Sequence, residues 1–184
     1  MDDRTLVYLR AAERGDAWAL ARLRTASLLE LELLAPSAAR AFERDAFREF
    51  STLLVDERLT AWVLVAGGRV AGSACVVFWR RLPYRDGSLH AELCGVYVEP
   101  ALRRRGYARE LCSEALAAAR ASNARKVVVH ASDGGRPLYE QLGFVAGNEM
   151  RLDARASATS VTNSAVAGAR SHAPSLRNSR ASSS

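Results

Sequence analysis

Three consecutive arginines, Arg103, Arg104 and Arg105, run directly into Gly106-Tyr107-Ala108. Upstream lies an apolar run, Val96-Tyr97-Val98, that stops at Glu99-Pro100. Proline has no N–H to give a strand ladder, so the strand ends there. Downstream, Leu111, Ala115, Leu116 and Ala119 recur at helical spacing. A basic, glycine-containing turn therefore stands at a helix N-terminus. Backbone N–H groups and the positive end of the helix dipole converge at such a point, which suits a phosphate or pyrophosphate. Gly106 lets the backbone approach the anion closely, and Ala108 keeps the first helical turn clear. Neither GxxxxGK[ST] nor GxGxxG occurs, so the turn is neither a P-loop nor a dinucleotide fingerprint. A solvated basic turn is the alternative reading.

Other residues able to do chemistry flank this turn. His90 and Glu92 alternate along the strand that leads into it, and both can exchange protons. Each also reads as an ordinary sheet residue. Tyr139 falls on a short helical stretch, and His130 ends a second apolar strand. Cys75, Cys94 and Cys112 sit in apolar stretches and form no CxxC pair. They read as buried thiols of a reducing compartment, not as a disulfide framework or a zinc site.

The elements that must position these residues follow from periodicity and turn signals. Strands are expected at residues 5–10, 60–66, 69–79, 89–98, 126–131 and 144–152. Helices are expected at 16–34, 36–54, 105–122 and 136–142. Leu20, Leu23, Leu28 and Leu31 give the first helix its apolar side, and Phe42, Phe50, Leu53 and Leu54 give the second theirs. Gly67-Gly68 between two strand patterns signals a tight hairpin. The order is β-α-α-β-β-β-α-β-α-β. Its strand-helix-strand half implies a right-handed crossover and a parallel pair within a mixed α/β sheet.

Two of these segments together resemble the GNAT superfamily of acyl-CoA-dependent N-acetyltransferases. The family's cofactor motif, [QR]-x-x-G-x-[GA] after a strand ending V-x-P, is matched by Arg103-x-x-Gly106-x-Ala108 after Val98-Glu99-Pro100. A second element, L-Y-x-x-x-G-F, is matched by Leu138 to Phe144. The likeness covers residues 5–152. It implies a mixed, mostly antiparallel central sheet with a splayed parallel pair, flanked by helices on both faces.

The resemblance also implies a division of labour. The pantetheine arm of acetyl-CoA would lie between strands 89–98 and 126–131, pairing with the backbone of Val96, Tyr97 and Val98. Its pyrophosphate would rest on N–H groups of residues 104–109, which makes Arg103, Arg104, Arg105, Gly106, Tyr107, Ala108 and Arg109 cofactor-binding. Ser132 stands where relatives often carry an asparagine, seven residues before the tyrosine. Glu92 would be the general base, with His90 in reserve, and Tyr139 the general acid for the departing thiolate. The amine would attack directly in a ternary complex, with no covalent intermediate and no metal. The two N-terminal helices and the loop at 80–87 would select the acceptor, which stays open among small amines, antibiotics and peptide or protein amines. A non-catalytic acyl-CoA-binding sensor is the alternative. Homodimers occur in the family, but no interface can be named from the sequence.

Composition narrows the remaining classes. The chain has 184 residues, 49% hydrophobic and 25% charged, as expected of one globular domain. No apolar run reaches the ~20 residues of a membrane span, and no leader is visible, so a cytoplasmic enzyme is expected. After Leu152 the sequence turns to Ser, Ala, Arg and Asn without aromatics, which reads as a disordered tail over 153–184. Half of the net charge of +6 falls in that tail, as Arg155, Arg170, Arg177 and Arg180 against Asp153. The basicity of the rest is grouped at residues 103–105, without the stacking aromatics of a nucleic-acid binder.

Overall fold

The structure is a computed structural model that describes residues 6–82 and 89–148. The elements are β1 (Val7–Ala11), α1 (Ala17–Glu30), α2 (Ala39–Val55), β2 (Leu59–Ala66), β3 (Arg69–Arg80), β4 (Leu89–Val98), α3 (Tyr107–Ala121), β5 (Lys126–Val129) and α4 (Arg136–Gln141). The strands form one sheet in the order β1-β2-β3-β4-β5. The first four pair antiparallel, and β5 joins β4 in parallel after the α3 crossover. Gly67 and Gly68 both take positive φ, as the β2–β3 hairpin requires. No helix among the described residues is long and apolar enough to cross a membrane.

Two apolar layers hold the sheet. On one face Leu64, Val76, Leu93 and Leu111 pack with Cys112, Ala115 and Tyr139, joining β2, β3 and β4 to α3 and α4. On the other, Leu20 and Leu23 of α1 pack on Val63, Val65 and Cys75, with Phe50, Leu53 and Leu54 of α2 at the margin. Each fully buried leucine contributes about 1.5–3 kcal/mol. The apolar side of α1 is narrower than expected, because Leu31 is 44% exposed beyond the helix end. Residues 144–148 are irregular where a strand was expected, and 149–152 lie outside the described residues. The tail at 153–184 and most of the expected 80–87 loop also lie outside them.

The entry to α1 rests on one partly buried ion pair. Arg10 donates to both oxygens of Asp16, at 2.6 and 2.9 Å, and Asp16 also accepts the Glu13 N–H at 2.7 Å. The Arg10 hydrogen bond outweighs burial and holds the Asp16 carboxyl below its ordinary range. A depressed carboxyl lends stability that is present above the unfolded value of about 3.9 and is lost as pH falls through the folded value. Asp16→Asn is expected to lower unfolding free energy by about 2 kcal/mol at pH 7. Denaturant melts should show that deficit shrinking below about pH 4. An equal deficit at pH 3 and pH 7 would contradict the role of the charge.

Candidate active site

The site is built on β4. Its register with β3 runs from Ser73↔Tyr97 to Cys75↔Cys94, so two residues of β3 span three of β4. The extra residue makes a bulge at Gly95, whose φ is +57°. Ser73, 2% exposed, donates from Oγ to the Gly95 carbonyl at 2.8 Å, drawing that oxygen toward β3. The Gly95–Val96 peptide is trans, so its N–H points the opposite way, to the far side of β4. The bulge also reverses the side-chain parity of the strand. Cys94 and Tyr97 both pack on the α1 side, whereas Leu93, Val96 and Val98 pack on the α3 side.

On that far side the sheet opens. Pairing between β4 and β5 begins at His90↔Lys126 and ends at Leu93↔Val129. From Cys94 to Val98 the β5 side of β4 has no partner strand among the described residues. The Glu99 N–H bonds Ala71 of β3 at 2.9 Å, so alternation turns the Val98 N–H into the opening as well. The backbone of Val96 and Val98 therefore offers unpaired donors to an extended ligand.

The basic turn lies just beyond this open edge. Arg104 has φ +62° and Gly106 φ +89°, and this left-handed path directs successive amides to one side. The N–H groups of Arg104, Arg105, Gly106, Tyr107 and Ala108 make no hydrogen bond among the described residues. Arg109 N–H differs from expectation: it is spent on the Gly106 carbonyl at 2.9 Å, closing the first turn of α3. Its side chain bonds Gln141 of α4 at 3.1 Å. Arg104 and Arg105 extend into solvent.

Arg103 is turned away from the turn's anion side. Its guanidinium makes a two-point pair with Glu30 at the end of α1, both at 2.6 Å. Its Nε donates to the Val98 carbonyl at 2.8 Å, and its plane lies over the Tyr97 ring at 5.2 Å. Tyr97 donates its own hydroxyl to Glu30 at 3.3 Å. Arg103 thus ties the turn to α1 and to the strand end.

The titratable residues separate by face. His90 is 4% exposed, against Trp79 with ring centroids 5.9 Å apart. Glu92 is half-exposed, and its Oε1 stands 3.7 Å from Nε2 of His130, just past the end of β5. Parallel register brings these two together: Val128 pairs with Glu92, and His130 follows on the same face. Tyr139 is 9% exposed beside Cys112 and Phe144. Burial, with smaller contributions from Cys112 and Cys94, pushes its phenol up to about 12. Gly135 makes room for that ring, because a Cβ there would stand 3.1 Å from Tyr139 Cε2. Ser132 caps the same turn, its Oγ accepting the Gly135 N–H at 3.3 Å. Burial raises Cys94 to about 11, Cys112 to about 12 and Cys75 well above its ordinary range, so all three are protonated thiols at neutral pH.

Ser73 and Gly95 are not singled out by the sequence, which marks Glu30 only as one charge of the helices expected to select the acceptor, and His130 as a strand end. A glycine inside a strand pattern is a bulge signal, and Gly95 carried it. A cavity of about 720 Å³, lined by Leu54, Leu59, Phe78, Leu89 and Ser122, lies at the opposite end of the sheet and touches none of these residues.

Comparison with known proteins agrees with this architecture. A protein named glucosamine 6-phosphate N-acetyltransferase, from Trypanosoma brucei brucei, is 32% identical over 87 residues, which are 47% of this chain and 58% of that relative. The chain therefore matches less than two thirds of that curated relative's length. A GCN5-related N-acetyltransferase from Ralstonia eutropha superposes with a TM-score of 0.73 at 22% identity, over 80% of this chain and 98% of the other. A protein from Clostridium acetobutylicum, described as a predicted acetyltransferase with acetyl-CoA, also gives 0.73, at 23% identity over 80% of this chain and 96% of the other. These two structures share the fold. The acetyltransferase (GNAT) family matches residues 26–144, from the last turns of α1 through α4 with the bulged strand and the basic turn inside it, and the chain belongs to that family.

Proposed function

We propose that the protein transfers an acetyl group from acetyl-CoA to a primary amine by direct attack in a ternary complex. One observation carries this reading. Among the described residues, the unpaired edge of β4 runs straight into five unpaired N–H groups at the turn before α3. An extended amide-bearing arm ending in phosphates suits that arrangement, with the arm as an added strand and the pyrophosphate on the turn. The residues fit such a substrate: Val96 and Val98 bind the arm, and Arg104 to Ala108 bind the phosphates. Arg103 positions the turn, and Ser132 shapes the α4 entry.

The chemistry then falls to four groups. The amine nitrogen attacks the thioester carbon, the C–S bond breaks, and the sulfur leaves with the electron pair. The Val96 N–H stabilises the developing oxyanion. Glu92, with His130 beside it, takes the amine proton directly or through water. Tyr139 donates a hydrogen bond to the thiolate. Full proton transfer from a phenol at about 12 to a thiolate whose acid has pKa ~8.5 is uphill by roughly 5 kcal/mol. Tyr139→Phe is accordingly expected to lower kcat only about tenfold in a thiol-release assay. A loss of 10³-fold or more would show that the phenol carries the proton itself.

Titration calorimetry of the full chain with acetyl-CoA tests the reading. Binding is expected, and Gly106→Glu should abolish it, because a carboxylate in a left-handed backbone would face the pyrophosphate. No heat from the wild type, in buffers of differing ionisation enthalpy, would sink the proposal. The relative's printed name makes an amino-sugar phosphate one acceptor worth including in a screen of amines.

A further inference from the structure

Helix α1 carries three charged residues, and two are committed. Arg22 bonds Glu99 at 2.8 Å and the Val70 carbonyl at 2.6 Å, and Glu30 holds Arg103. Arg24 makes no ion pair or hydrogen bond among the described residues. Yet it is not on the solvent side of the helix. It lies four residues after Leu20 and directly follows Leu23, which are 1% and 0% exposed against the sheet. Residues four apart share a helix face, so Arg24 continues the buried stripe toward the end of α1. Arg24 is half-buried there, so its guanidinium, without a carboxylate, is left to water or an anion.

The opposite wall is β4. Glu92 and Cys94 alternate on the face that α1 covers, and Cys94 packs in the α1 layer. The Cys94 thiol senses both neighbours, with the Glu92 charge raising it and the Arg24 charge lowering it. Where α1 meets β4, a negative group and a positive group thus act on one residue, Cys94. An acceptor that is only an amine would use the first and leave the second idle.

We infer that Arg24 is the anion-binding residue of the acceptor site, and that the acceptor carries a carboxylate or phosphate besides its amine. The amine is drawn to Glu92 and His130, where it loses its proton. The anionic group meets the guanidinium fork, which matches both carboxylate and phosphate geometry. This assignment rests on the transferase reading above.

The experiment compares amines with and without the anion. Thiol release from acetyl-CoA is measured for the full chain and its Arg24→Gln and Arg24→Lys variants. One arm pairs glucosamine 6-phosphate with glucosamine, and the other pairs a set of amino acids with their amides. The wild type should favour the anionic members of one arm, and that arm identifies phosphate or carboxylate. Arg24→Gln should raise KM for those members by about 10–100-fold. Their neutral counterparts should change by no more than about threefold, and Arg24→Lys should recover part of the loss. Equal losses on both members, or a wild type without preference for either anion, would overturn the assignment. Acetyl-CoA titrations on the same preparations separate the failures, since lost acetyl-CoA binding in the wild type would instead overturn the transferase reading.

Discussion

Glu92→Gln is expected to lower kcat for acetyl transfer to an alkyl amine by about 10²–10³-fold at pH 7, the range for removing a general base. The reason lies in the acceptor. With a pKa near 10.4, an alkyl amine is neutral in only about one of 10³–10⁴ molecules at that pH. Something must take the proton before or during attack. Glu92 is half-exposed on the α1 side of β4, and His130 is 3.7 Å away, longer than a hydrogen bond but within one water's reach. An imidazole, with an ordinary value near 6.5, is closer to an amine than a carboxylate is. In the proposed mechanism the two act as a relay in which either alone is the poorer base. Two signatures follow. The deficit of Glu92→Gln should narrow as pH rises toward 10, where solvent deprotonates the amine without help. Adding His130→Ala should cost much less than it does in the wild-type background, because groups acting as one unit are not additive. Acetyl-CoA binding should be unchanged. A variant with wild-type kcat between pH 6 and 9 would remove Glu92 from the chemistry and leave the amine proton to His130 or to water.

How far the sequence could carry this picture depends on how local each feature is. The strand-turn-helix from Val96 through Ala108 is contiguous, and its proline, glycine and apolar spacing specify it without reference to the rest of the chain. The ten residues of β4 and the Gly-Gly hairpin were legible for the same reason. The C-terminal end of α1 was not, because Leu31 continues the helical pattern past the point where Glu30 turns to Arg103. That partnership joins residues 73 apart, and periodicity says nothing about it. The meeting of Glu92 with His130 needed the register of a parallel pair, which is set by packing on α3 and not by a turn. His90 and Glu92 looked equivalent on alternation, yet Trp79 covers one and leaves the other open. Above all, strict alternation would place Tyr97 on the α3 side. The bulge at Gly95 reverses this, and the Ser73 hydroxyl that holds its carbonyl comes from β3, 22 residues away.

Gly95→Ala is therefore expected to damage both fold and activity, and by separable routes. A residue with a Cβ at φ +57° costs about 1–2 kcal/mol. The added Cβ would also stand 3.2 Å from the Cys75 sulfur, itself 1% exposed and with little space to retreat. Thermal melts should show the loss. Activity should suffer more than stability accounts for, because the strand has an alternative: expelling the bulge relieves the strain by turning the Gly95–Val96 peptide. The Val96 N–H would then no longer face the thioester oxygen of the proposed complex, and loss of one such donor costs about 10²–10³ in kcat. Ser73→Ala gives the gentler counterpart. It leaves Gly95 free to keep its conformation and removes only the 2.8 Å bond that holds the carbonyl. It should lower kcat by about tenfold with the KM for acetyl-CoA little changed, and Ser73→Thr should recover most of it. If Gly95→Ala, measured at a temperature where it is fully folded, kept wild-type kcat, the Val96 amide could not be the oxyanion donor. The thioester would then have to be polarised from another point on the open edge of β4, of which the Val98 N–H is the next candidate.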